Sequence, residues 1–187
     1  DQDKGKPSDP GIAQKLLDSR TILLFGEINM DVAREITKQL LVLDADSDDP
    51  IKLYINSPGG HVESGDTIYD MIRFVKSPVK VIGTGWVASA GALIYAAAEK
   101  ENRYSLPNTR FLLHQPMGGA RGQATDIAIE AEEILKMRKR LNQTFANQTG
   151  QPLEKVEEDT DRNFWMSAKE AQEYGLVGSI IDTFPDV

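Results

Sequence analysis

The stretch that most constrains this chain is Gly83-Thr-Gly-Trp-Val-Ala-Ser89-Ala-Gly91, which runs on into Ala92-Leu-Ile-Tyr-Ala-Ala-Ala98. Val79-Lys-Val-Ile82 before it is a short, β-branched apolar run and reads as a buried strand. The alanine-rich run after it is helix-forming and almost uncharged, so it reads as a buried helix. Ser89 then stands where a strand turns into that helix, with glycines at 83, 85 and 91 around it. Backbone N–H groups and the positive end of the helix dipole face such a position, which suits a nucleophile attacking a carbonyl. A plain helix N-cap is the competing reading. The segment also departs from the G-x-S-x-G elbow, because residue 87 is Val.

Composition narrows the chemistry. The chain has 187 residues, 40% of them apolar and 27% charged, which suits one soluble globular domain. A formal charge of −8 argues against nucleic acid or an anionic membrane as the main partner. There is no cysteine, so disulfides, thiol catalysis and thiolate metal sites are excluded. His61 and His114 are the only histidines; a histidine base must be one of them, and no multi-histidine metal site can form. No metal or other cofactor is expected. The longest apolar run, Val87 to Ala98, is too short to span a bilayer, and the polar start lacks a signal-peptide pattern. A cytoplasmic location is therefore expected.

Along the chain, residues 1–20 read as a mobile N-terminal segment with a short helix near Ile12–Leu17, and residues 21–187 as one domain. Thr21–Phe25 reads as the first strand. Asn29 or Asp31 can cap a helix whose apolar face carries Ile28, Val32, Ile36, Leu40 and Leu43, ending in an acidic turn, Asp44–Pro50. Ile51–Ile55 reads as the second strand and runs into Asn56-Ser-Pro-Gly-Gly60. That turn is either a plain tight loop or, with bare backbone N–H groups, half of an oxyanion hole. A helix from Ser64 to Val75 follows, and two short strands are expected at 103–106 and 110–114. His114 closes the second of these. The longest helix is expected from Thr125 to Gln148, stopped by Gly150, with Ile127, Ala131, Ile134, Leu135, Leu141 and Phe145 along one face. It is long for a domain of this size and is expected to project. Ser167-x-x-Glu170 is a capping box, opening a helix that ends at Gly175, and Leu176–Ile181 reads as a last strand. Alternating strands and helices predict an α/β domain with a largely parallel sheet.

Four segments together resemble one family. They are Asn56-Ser-Pro-Gly-Gly60; Gly85-x-x-Ala-Ser89-x-Gly91; His114-Gln-Pro-x-Gly-Gly119 with Gly122-Gln-Ala-Thr-Asp126; and Ser167-Ala-x-Glu-Ala-x-Glu-Tyr-Gly-Leu-Val177. In order and spacing, from about residue 20 to residue 182, they look like the proteolytic subunit of Clp-type proteases. The resemblance implies a crotonase-like fold of repeated ββα units with a projecting handle helix, about residues 118–149. It also implies two stacked heptameric rings, fed with unfolded polypeptides by a AAA+ unfoldase. On the same resemblance Ser89 falls on the nucleophile, His114 on the general base, and the N–H groups of Gly60 and Ala90 on the oxyanion hole. Arg162 falls on an inter-ring contact. Asn163 stands at the third triad position, where most members carry aspartate, and Gly178 where aspartate is usual. His61 matches no functional position.

The resemblance implies a serine endopeptidase using Ser-His-Asn acyl-enzyme chemistry. Asn163 keeps open a second reading, a weakly active or regulatory ring subunit in a mixed assembly with a paralogue. A crotonase-type acyl-CoA enzyme is a third, and Ser89 and His114 argue against it.

Overall fold

Strand-forming runs rich in Ile, Val and Leu set the architecture, because alternate residues face a core and the rest face outward. The computed structural model describes residues 10–116 and 121–183. Helix α1, Pro10–Asp18, is followed by strand β1, Thr21–Phe25; α2, Met30–Asp46; β2, Ile51–Ser57; α3, Val62–Phe74; and β3, Val79–Ala88. Then come α4, Ala90–Tyr95, a 3-10 turn at Lys100–Asn102, β4, Arg103–Ser105, and β5, Arg110–Leu113. The chain continues with α5, Ala124–Thr149; α6, Leu153–Asp159; β6, Phe164–Ser167; α7, Ala168–Tyr174; and β7, Ser179–Ile180.

The sheet is mostly parallel, in the order β1-β2-β3-β4-β7, and β3 also pairs with β5. β3 is longer than the apolar run at 79–82 predicts, since Gly83 and Gly85 do not end it. Its first half pairs with β4 and its second with β5. Gly85, at φ +62, accompanies a register shift against β2, and a side chain there would run into Asn56. β6 is an antiparallel strand on β5 that the sequence did not signal.

Asn29 is the cap of α2: its Oδ1 accepts the Val32 N–H at 3.0 Å. The helix runs on into the expected acidic turn, and Asp44 Oδ1 accepts the N–H groups of Lys76 and Ser77 where α3 passes into β3. The capping box at Ser167 and Glu170 forms as predicted, and Gly150 and Gly175 end their helices at positive φ.

Helix α5 divides into two parts. Leu141, Asn142, Phe145, Ala146 and Thr149 are buried, whereas Ile127 is 41% exposed and Leu135 63% exposed. The predicted face is thus continuous in sequence but meets the body only near its C-terminal end. A bidentate pair fixes the exit: Arg140 donates to both carboxylate oxygens of Asp66 on α3, at 2.8 and 2.7 Å. Arg103, 2% exposed, anchors the far end of the helix. Its guanidinium donates to the carbonyls of Ala98, Gln148 and Leu176 and to the side chain of Gln148. These bonds tie the exits of α4, α5 and α7 together. No helix among the described residues is long and apolar enough to cross a membrane.

Candidate active site

Ser89 is held by the strand before it and the helix after it. Its N–H donates to Leu112 O on β5 at 2.9 Å, and its carbonyl accepts the Leu93 N–H at 3.1 Å. The backbone between those anchors sits at φ 55, ψ −120, a combination sparsely available to an L residue and costing about 1–3 kcal/mol. Ser89 occupies the N-cap position of α4, yet its side chain accepts no backbone N–H. The hydroxyl is left for something other than capping.

The Asn56–Gly60 turn packs directly on this bend. A Cβ on Gly59, where φ is +97, would lie 2.7 Å from Ser89 Cβ and 2.9 Å from Ala88 O. A Cβ on Gly60 would collide with the backbone of Ile28. Both glycines are required by close approach as well as by backbone angle. Ile28 N donates to Gly59 O and His61 N to Ile28 O, which fixes the turn while leaving the Gly60 N–H unused among the described residues. The Ala90 N–H is the first of its helix and has no intrahelical partner. Two spare donors therefore flank Ser89.

Ser89 and His114 line the same small cavity, walled by Val62, Leu93, Leu141 and Phe145. His114 also borders a wider groove with Gln115, Asp161 and Asn163. Burial lowers the His114 pKa from its ordinary value, and a backbone hydrogen bond at Gln115 opposes the shift. Among the described residues no hydrogen bond links Ser89 with His114, or His114 with Asn163. Such bonds are often long in a resting site and tighten when substrate binds.

Strand register relates His114 to Asn163. β5 and β6 pair as Leu112↔Trp165 and Leu113↔Phe164, where the ladder ends; one further antiparallel step would set His114 opposite Asn163. Asp161, the nearest carboxylate in sequence, is engaged elsewhere, its Oδ1 accepting from Arg138 Nη2 at 3.0 Å. The Arg162 side chain is 92% exposed, with Asp161 Oδ2 4.0 Å from its Nε. His61 lies at the start of α3, its Nδ1 2.9 Å from Ser64 Oγ and its Nε2 3.3 Å from Glu63. The glycine-rich segment before α5 falls partly outside the described residues, 117–120 being beyond them. No cluster of three or more metal-binding side chains occurs among the described residues.

A strained serine on a strand-to-helix bend, two idle backbone donors and one histidine sharing its cavity can perform acyl transfer. Comparison with known proteins decides the family. The model of the Clp protease family matches residues 5–184. The chain belongs to the Clp protease family. It is therefore a proteolytic subunit of the serine endopeptidase type.

Among its relatives, the ATP-dependent Clp protease proteolytic subunit 2 of Gluconobacter oxydans is 68% identical, covering 89% of this chain and 76% of that one. The proteolytic subunit 3 of Rhizobium etli is 56% identical over all of this chain and 96% of its own length. Solved structures agree. ClpP1 of Listeria monocytogenes matches with a TM-score of 0.85 at 55% identity, covering 94% of this chain and 98% of that one. An asparagine-to-aspartate mutant of the same Listeria protein matches with a TM-score of 0.88 at 56% identity, covering 93% and 98%.

The sequence reading gives no role of their own to Gly59, Gln115 and Arg138, the first two standing only inside the Asn56–Gly60 and His114-Gln-Pro motifs. Gly59 carried a signal, since only a glycine pair lets one turn lie against another backbone. Gln115 and Arg138 carried none, because their partners are distant in sequence.

Proposed function

We propose that this subunit cleaves peptide bonds through Ser89 as nucleophile and His114 as general base, with Asn163 orienting the imidazole. The observation that carries this reading is the Ser89 hydroxyl. It is unused by the helix that Ser89 caps and opens into the cavity that His114 shares. In this reading His114 takes the hydroxyl proton as Ser89 attacks the carbonyl carbon, and the N–H groups of Gly60 and Ala90 receive the oxyanion. His114 then returns the proton to the leaving amine, and water repeats the sequence on the acyl-enzyme. The walls formed by Val62, Leu93, Leu141 and Phe145 suit an apolar side chain next to the scissile bond.

The subunit is proposed to act in the cytoplasm within two stacked heptameric rings, on polypeptides delivered by a AAA+ unfoldase. The exposed apolar residues of α5 and the exposed Arg162 support contacts between copies. Asn163 favours a second reading, a weakly active or regulatory subunit working beside a paralogue, because an amide brings no charge to His114.

A fluorophosphonate probe tests the chemistry, since it reacts only with an activated serine. One label per chain, lost in Ser89→Ala with assembly unchanged, is expected. A label that persists in Ser89→Ala would refute the assignment. Native mass spectrometry of the chain alone and mixed with a paralogue, with peptidase assays on both samples, separates the two readings.

A further inference from the structure

The segment from Thr160 to Asn163 must be held at a fixed distance from His114 if Asn163 is to orient the imidazole, and β6 does not supply that hold. The β5–β6 ladder ends at Leu113↔Phe164, one step short of the pair that matters. Asn163 itself is exposed and makes no hydrogen bond to His114. The next anchor beyond it comes from Gln115. The Gln115 N–H donates to Thr160 O at 2.7 Å, and its side-chain amide donates to Asp161 O, also at 2.7 Å.

A continued ladder would set Gln115 against Arg162. The loop bulges there, and Gln115 bridges the bulge with one main-chain and one side-chain bond. Two other anchors reach this loop from α5: Asn142 Oδ1 accepts from Thr160 Oγ1 at 2.9 Å, and Arg138 donates to the Asp161 carboxylate. Of these anchors, only Gln115 comes from the segment that leaves β5 with the histidine, directly beside it. It therefore fixes the loop relative to His114 and not merely to the body of the protein.

We propose that Gln115 is a positioning residue for the acylation step. Its side-chain amide clips the Asp161 carbonyl and thereby holds Asn163 opposite His114. This rests on the reading of Asn163 as the orienting residue. A glutamine fits the task because a neutral N–H donor of that length reaches a carbonyl without bringing charge beside the imidazole.

The test measures single-turnover acylation by a peptide ester, with kcat and KM, for Gln115→Met and the isosteric Gln115→Glu. Each is made in the parent chain and in Asn163→Ala. In the parent background both variants are expected to lose about tenfold in acylation rate and kcat, the worth of one net hydrogen bond, with KM within about twofold. In Asn163→Ala the same changes are expected to cost less than about twofold, because nothing remains to be positioned. Unchanged acylation in the parent background overturns the proposal, and so does an equal loss in both backgrounds. The melting temperature of each variant checks that the fold is intact, and Glu at 115 keeps the side-chain volume if Met perturbs it. Fluorophosphonate labelling of the parent at Ser89 tests the functional reading separately, so the two failures are distinguishable.

Discussion

Replacing Asn163 by aspartate adds one negative charge opposite the proposed base while leaving side-chain size almost unchanged. Opposed residues in an antiparallel pair carry Cβ atoms about 5 Å apart, the separation that His114 and Asn163 would have if the β5–β6 register, which ends at Leu113↔Phe164, ran one step further. Two unit charges at about 5 Å interact by about 3 kcal/mol at an effective dielectric of about 20, and by just under about 1 kcal/mol in bulk water. Asn163 is exposed and His114 only half-buried, so solvent screening sets the value toward the lower end of that range. Stabilising the imidazolium formed during attack by about 1–2 kcal/mol corresponds to acylation about five- to thirty-fold faster. The same charge opposes the burial that lowers the His114 pKa. His114 must be neutral to act as base, so in the parent the acid limb of kcat/KM should lie below the ordinary imidazole range. In Asn163→Asp that limb should move to higher pH. Single-turnover acylation of a peptide ester, followed from pH 5 to 9, reads both effects. Acylation unchanged or slower in Asn163→Asp, with an unmoved acid limb, would refute the pairing of Asn163 with His114. Loss of acylation in Asp161→Ala would then assign the role to Asp161.

Two glycine substitutions probe the frame around the site. Gly59→Ala forces a Cβ against Ser89 Cβ and Ala88 O at positive φ; acylation should fall about a hundredfold, as on loss of an oxyanion donor, with an unchanged rate as the contrary result. Gly178→Asp installs the residue usual in the resembled family, but here its Cβ would strike Lys100 O and lie 3.0 Å from Arg103 O. It should destabilise the fold by about 3 kcal/mol in denaturant unfolding, and a neutral outcome would mean that the 176–178 turn shifts freely.

The sequence made the long elements and the site's centre legible for physical reasons that apply within short windows. Thr21–Phe25 is a short apolar run closed by Gly26, so β1 coincides with its reading. Gly150 and Gly175 end α5 and α7 at positive φ, as their positions past apolar helices imply. Contacts between distant residues decided the rest. β3 runs through two glycines because β5 pairs with its second half, and nothing at 83–88 announces that partner. β6 forms from Phe164–Ser167 only because β5 offers a free edge. Ile127 and Leu135 share a helical face with Leu141, but periodicity cannot tell a face that meets the body from one that leaves it. A side chain at residue 178 would meet Lys100 O and Arg103 O, a close approach between distant residues that no short window of sequence announces.

The conformation of Ser89 has an energetic explanation in the packing around it. A residue at φ 55, ψ −120 persists only if its surroundings hold it there against about 1–3 kcal/mol of strain. Three constraints act at once. β3 and β5 fix the incoming chain through the Ser89 N–H bond to Leu112 O. Helix α4 fixes the outgoing chain, with Ala92, Leu93, Ile94 and Tyr95 at most 2% exposed. The Gly59 backbone closes the remaining side at a distance no side chain would allow. Burying those four α4 side chains contributes several kcal/mol, more than the strain, so the helix cannot relax without leaving the core. A glycine at 89 would satisfy the backbone equally well and carry no hydroxyl. The packing therefore holds the strain, and the hydroxyl is what a glycine at this position would lose.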